Sequence, residues 1–303
     1  MRKVGNMKHR SASDTISIIV FLIPAVLLFC VILIAPMVMS AYYSFFDWKG
    51  LGEAKFIGLS NYKELFTSEL TPFPSALKNV FILAGLSVFL QLPISLGLAL
   101  ILGRGIKGER FFLSVNFIPV LISTVVIAML WKIMYQPKGL FNNLLRITGI
   151  LKEGDSNILF LADGPKGHLL GSVIAPMLWQ YVGYHMLLMY AGVKNVSPEL
   201  REAAMIDGAT PWQVDRYIVI PSMKPVIKVC VIFSVTGSLK SYDLPALLAG
   251  MRSVTAAFPS TMLMNQMFKA NRYGMGSAIA VLLILMCFAF ALLINYIFRE
   301  KDE

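Results

Sequence analysis

Residues 79–131 read NVFILAGLSVFLQLPISLGLALILG, then RGIKGER, then FFLSVNFIPVLISTVVIAMLW. The outer segments, 79–103 and 111–131, contain no Asp, Glu, Lys or Arg. Each is long enough to cross a bilayer core, which needs about 20 apolar residues in a helix. The short connection 104–110 carries Arg104, Lys107 and Arg110. Two apolar spans joined by a basic loop decide the fold class: all-α, in a membrane.

The whole composition agrees. Of 303 residues 57% are hydrophobic and 15% charged, and the mean hydropathy is +0.69. Soluble domains carry about 25% charged residues, so the excess apolar surface must face lipid. Disorder is excluded because it needs low hydrophobicity. The net charge of +10 would suit nucleic acid on a soluble chain, but no basic run here is interleaved with aromatics. Retention of Lys and Arg in cytoplasmic loops explains it. Cys30, Cys230 and Cys287 all fall in apolar stretches, so neither a disulfide framework nor a close-spaced metal site is expected.

Charge-free runs predict six transmembrane helices, at approximately 16–43, 79–103, 111–131, 169–193, 225–245 and 274–298. The fifth is less clean, with Lys228 near one end and Lys240 and Asp243 near the other; Lys228 can snorkel to the headgroups. The first is too long for the h-region of a cleaved signal peptide, and is expected to remain. Six spans put both termini on one side. Segments 1–15, 104–110, 194–224 and 299–303 are almost twice as dense in Lys and Arg as 47–78, 132–168 and 240–273. The first set is therefore expected in the cytoplasm, with 1–15 and 299–303 as tails around a permease domain, 16–298. Pro24, Pro36, Pro93, Pro119 and Pro176 interrupt the spans, and such breaks are tolerated where they face neighbouring helices or a cavity.

The loop 195–221, NVSPELREAAMIDGATPWQVDRYIVIP, is strongly punctuated. Ser197 and Pro198 predict an N-cap and N1, with Glu199 favouring the positive helix end. Asp207-Gly208 predicts a stop, because glycine supplies the left-handed C′ conformation. Thr210 and Gln213 predict a capping box for a second helix, closed by Pro221. This is a preformed helix-turn-helix, with Ala203 and Ala204 as a small face and Glu202 as a charged anchor.

These residues resemble the EAA motif of ABC-importer permeases. Glu202, Ala203, Ala204 and Gly208 fall in register, followed by Ile218 and Pro221, with Ile220 where the family has Leu. Met205 through Ala209, including Asp207, and Tyr217 match the carbohydrate-uptake branch more closely. Phe56-Ile-Gly-Leu-Ser-Asn-Tyr62, Lys240-Ser-Tyr-Asp-Leu244 and Tyr273-Gly-Met-Gly-Ser-Ala278 extend the resemblance over most of the chain. It departs at Leu248-Ala-Gly-Met-Arg252, where relatives carry Thr-Gly-Gly-Gly-Pro.

The resemblance implies a type I importer permease fold whose cytoplasmic loop docks on a dimer of ABC ATPase subunits. It implies a second permease subunit, a related different chain in preference to a second copy, and an extracytoplasmic solute-binding protein. ATP and Mg would be used by the ATPase; this chain has no G-x-x-x-x-G-K-[ST] of its own and is expected to bind no cofactor. The location implied is a bacterial-type cytoplasmic membrane. The implied cargo is a sugar or oligosaccharide, with glycerol-phosphate open.

A substrate pathway is sought among polar residues within the spans. Gln180, Tyr181, Tyr184 and His185 lie on the fourth span, 181, 184 and 185 sharing one face. The fifth offers Gly237, Lys240, Ser241 and Asp243, with Lys240 and Asp243 spaced to pair. Aromatic rings with hydroxyls and amides suit a sugar's C–H faces and hydroxyl rim. A self-contained secondary transporter is the alternative, expected to show inverted repeats; none is evident. An integral-membrane enzyme would need a catalytic constellation, and neither H-E-x-x-H nor G-x-S-x-G occurs.

Overall fold

The computed structural model describes residues 12–68, 72–152, 154–163 and 168–299, and for 12–19 the backbone alone. His9 and most of both tails lie outside these residues.

Helix α1 starts as Ala12–Phe29, passes through a π-turn at Cys30–Ile34 and continues as Ala35–Tyr43. A two-residue hairpin follows, β1 (Phe46–Asp47) antiparallel to β2 (Lys55–Phe56) with Phe46 opposite Phe56. Next come α2 (Ser60–Thr67) and α3 (Phe73–Gly103), then α4 (Glu109–Leu121) and α5 (Thr124–Met134). The chain continues through α6 (Leu140–Ile147), α7 (Leu169–Lys194), α8 (Pro198–Ile206) and α9 (Pro211–Ser222). It ends with α10 (Lys224–Leu239), α11 (Asp243–Leu248), α12 (Pro259–Phe268) and α13 (Tyr273–Ile297).

Among the described residues three helices are long and apolar enough to cross a membrane: α1 over Val20–Tyr43, α3 and α13. Counting each sharply bent pair as one span raises this to 5. The 26-residue α7 has the length, but Trp179, Gln180, Tyr181, Tyr184 and His185 dilute its hydropathy.

Several expected boundaries change. The 79–103 span begins at Phe73, since a single Lys78 does not stop a helix. The 111–131 span is no single helix: α4 and α5 meet at 96°, with Ile122 and Ser123 extended between them. The 225–245 span stops at Leu239. Lys240 and Tyr242 leave helical geometry, and α11 starts afresh at Asp243, two residues before Pro245.

Proline placement follows one rule in three elements. Pro36, Pro93 and Pro221 each lie two residues after a π-turn, at Cys30–Ile34, Ser87–Gln91 and Asp215–Val219. A helical proline lacks an N–H and its ring strikes the carbonyl four residues back. The wider turn lets the preceding N–H bond five residues back instead, as Leu92 does to the Ser87 carbonyl. Pro221 therefore does not close the second loop helix. The helix passes through it and ends at Ser222, and at Met223 the chain turns 71° into α10.

Packing is organised around α7 and α13. Helix α7 lies along the second half of α3 and along α4, and α13 packs on α10, α12 and the last part of α1. One apolar cluster joins Leu100, Leu102, Val193, Val214, Val219 and Met223, seating the 195–221 loop against the bundle end. At the opposite end Glu64 of α2 grips Arg272 with two bonds of 2.6 and 2.7 Å. There too Asn61 is buried and donates to the carbonyls of Ser44 and Phe46. The turn after α11 has Gly250 at φ +82, a left-handed position that suits glycine.

Candidate functional site: a polar cavity and a helical loop

Helices α3, α7, α10 and α11, with the start of α5, line an open-sided cavity of about 420 Å³. All eight residues singled out from the sequence line it: Gln180, Tyr181, Tyr184 and His185 from α7, with Gly237, Lys240, Ser241 and Asp243 from α10 and its broken end. The break at Leu239 is what brings Lys240, Ser241 and Asp243 to the rim. Further polar residues join them: Ser234, Thr236, Ser238 and Tyr242 from α10 and the segment after it, and, from other elements, Ser87 and Gln91 of α3 and Thr124 at the start of α5. The i, i+4 spacing of Ser87 and Gln91 inside an apolar span was the available signal.

The walls are held by hydrogen bonds between helices. Gln91 donates to the Leu178 carbonyl at 2.9 Å and Ser95 to the Val182 carbonyl at 2.9 Å, fixing α3 to α7. Tyr184 meets Tyr181 and His185 edge-on. His185 and Ser234 are buried, and the His185 Nδ1 and Ser234 Oγ lack protein partners. Unpaired polar atoms at a cavity wall are provided for by water or ligand. Lys240 and Asp243 do not pair: among the described residues no ion pair joins them, because the helix that would set them three apart on one face is broken. Both are exposed at the cavity, one positive and one negative.

Beyond the helix end that moves past Pro221, the loop folds as its punctuation predicts, with two further corrections. Gly208 adopts φ +88. The Ala209 N–H bonds the Ala204 carbonyl at 2.9 Å and the Gly208 N–H the Met205 carbonyl at 3.1 Å. This is the Schellman pattern. Thr210 and Gln213 form the capping box, Thr210 N–H donating to Gln213 Oε1 at 2.7 Å. Ser197 occupies the N-cap position of α8, but its hydroxyl donates to the Glu199 carboxylate rather than accepting from the backbone. That bond holds the Glu199 carboxyl below its usual range.

The second correction concerns the exposed face. Ala204 turns inward against the apolar cluster with Ala209 and Ile218. Glu202, Ala203, Asp207, Gly208 and Pro221 are exposed. Beside them stand Leu200, Met205, Ile206, Trp212 and Tyr217, all exposed, Ile206 by 85%. The sequence pattern marks none of these five as a docking face; Met205, Ile206 and Tyr217 enter only as matches to the family motif. Their spacing gives no sign of which way α8 rolls.

The sequence profile of the family described as binding-protein-dependent transport system inner membrane component matches residues 91–302. The probable ABC transporter permease protein YurN of Bacillus subtilis is 34% identical over 93% of this chain and 96% of its own length. The trehalose/maltose transport system permease protein MalF of Thermococcus litoralis is 29% identical over 99% and 98%. Among solved structures, a bacterial ABC transporter involved in import of the acidic polysaccharide alginate superposes with a TM-score of 0.80. It is 25% identical, covering 96% of this chain and 98% of that one. The same kind of transporter, in complex with an alginate pentasaccharide-bound periplasmic protein, also gives 0.80, at 24% identity.

Proposed function

Because this chain belongs to the binding-protein-dependent transport inner-membrane family, we propose that it is one permease subunit of an ATP-driven sugar importer. Six transmembrane helices form it when α4–α5 and the α10–α11 region each count as one span and α7 counts as another. Both termini and the 195–221 loop then lie in the cytoplasm of a multi-pass inner-membrane protein.

The observation that carries the reading is the convergence of seven polar and aromatic residues, with Gly237, on one cavity of a chain that also carries an exposed helical knob. Solute handed over by an external binding protein enters the cavity. Tyr181 and Tyr184 offer ring faces and hydroxyls, Gln180 and His185 polar edges. With Lys240 and Asp243 both present, the cavity has no net bias towards a charged solute, which favours a neutral sugar or oligosaccharide over glycerol-phosphate. The loop supplies no chemistry of its own. Its exposed apolar residues, with Glu202 among them, dock on a cytoplasmic ATPase dimer that uses ATP and Mg. Closure of that dimer pushes the loop and switches the cavity between the two sides. A second permease subunit, a related different chain, completes the pathway.

Co-expression with the ATPase and partner permease tests this. Affinity-purified membrane complexes of the unaltered chain retain the ATPase, whereas Ile206→Asp and Trp212→Asp lose it while the permease pair still inserts. Retention by both variants contradicts the docking role.

A further inference from the structure

Helices α8 and α9 are moored to the bundle at two different places. On α8, Arg201 donates to the Val193 carbonyl at the end of α7. On α9, Asp215 is 6% exposed and meets Arg104 at 2.5 Å. Arg104 immediately follows Gly103 and caps α3. The loop thus holds α7 with one hand and α3 with the other, and these two helices wall the cavity.

Asp215 sits between Val214 and Val219 of the apolar cluster that also contains Leu100 and Leu102 of α3. Packing alone would be served as well by an apolar side chain at 215, because desolvating the carboxylate offsets much of what the pair gains, the Arg104 side chain being 44% exposed. What the pair adds is a directional link between α9 and the end of α3. From Arg104 the helix runs back about 20 Å to Gln91, which lines the cavity beside Ser87 and is bonded to the Leu178 carbonyl of α7. A shift of α9 therefore reaches the cavity wall along one continuous helix.

We propose that the Arg104–Asp215 ion pair is the strut that carries movement of the docking loop to the cavity, making both positioning residues for transport. This rests on the importer reading above and adds the route by which the loop acts. Without the strut, the loop docks and ATP is hydrolysed, but α3 does not follow.

The test uses the complete importer in vesicles, with Cys30, Cys230 and Cys287 replaced by alanine and Thr236→Cys, at a position that lines the cavity, as a reporter. Labelling of that cysteine by a membrane-impermeant maleimide is followed with and without ATP and vanadate. The chain with Arg104 and Asp215 intact changes its labelling rate on trapping by about tenfold, the size of an ordinary coupling energy. Arg104→Asp and the shape-conserving Asp215→Asn keep the ATPase bound and hydrolysing but lose most of that change. The charge swap Arg104→Asp with Asp215→Arg restores it, which a merely structural role would not require. The proposal is overturned if the single variants respond like the parent, if the swap does not restore the response, or if the variants shed the ATPase. Failure of the parent chain itself to bind the ATPase would overturn the importer reading, and the strut with it.

Discussion

Gly183 of α7 lies directly against the main chain of Asn116 in α4, so close that a β-carbon at 183 would overlap the Asn116 carbonyl. Backbone cannot yield as a flexible side chain does. This contact sets how near α4 can approach α7, and hence where α5 and Thr124 begin after the 96° bend.

Gly183→Ala therefore forces the two helices apart. Overpacking of this kind costs about 1–3 kcal/mol. Thermal unfolding of the detergent-purified protein is expected to show a lower Tm for Gly183→Ala. Gly85, whose β-carbon would meet open space, serves as the control, with Gly85→Ala unchanged or slightly more stable. Equal Tm for both variants would contradict the close-approach account.

At Gly208 the constraint is conformation rather than space. Nothing lies within 4 Å of a β-carbon there, yet φ is +88. Left-handed geometry costs an L-residue roughly 1–2 kcal/mol, with Asn the best tolerated. ATPase retention by the purified complex is expected to fall in the order Gly, Asn, Ala, Val at position 208. A flat series would show that the turn between α8 and α9 does not govern docking.

The Glu64–Arg272 clasp gives a pH signature. The guanidinium bonded to Glu64 lowers its carboxyl pKa from the ordinary 4.5. A depressed folded pKa means stabilisation that is fully present above 4.5 and is lost as pH falls through the lower folded value. The unmodified chain is expected to exceed Glu64→Gln in Tm at neutral pH, with the gap closing in acid. Because the Glu64 side chain is 37% exposed, solvent screens the pair and the gap is small. A gap that widened on acidification would reverse the sign and refute the clasp.

Within the cavity the rings are expected to matter more than the charges. Tyr184→Ala lowers uptake of a neutral oligosaccharide by about tenfold, a loss of roughly 1.4 kcal/mol. Replacing Lys240 and Asp243 together by Gln and Asn leaves it within about threefold, under 1 kcal/mol on the same scale. Radiolabelled uptake into vesicles decides this. The opposite ranking would point to a charged solute.

How much of this was legible in the sequence depends on what each signal encodes. Caps are local, so Thr210, Gln213 and Gly208 behave in the structure as their residue types dictate. Polar residues in an apolar span have few places to go, so Gln180, Tyr181, Tyr184 and His185 converge with Gly237, Lys240, Ser241 and Asp243. Hydropathy is blind to backbone angles. The run 111–131 reads as one helix although Ile122 and Ser123 are extended, and the π-turns ahead of Pro36, Pro93 and Pro221 leave no mark in composition. Nor does sequence tell Ala203, which is exposed, from Ala204, which packs inward, since that depends on how α8 rolls on the bundle.

The central claim is that this chain moves sugar only as part of an ATP-driven assembly. The most direct measurement is oligosaccharide uptake into vesicles holding the chain with its ATPase and partner permease, binding protein outside and ATP within. Uptake is expected to need all these components and to fail with Glu202→Arg or Gly208→Pro although the permease pair still inserts. Uptake by this chain alone, driven by an ion gradient without ATP, would contradict it.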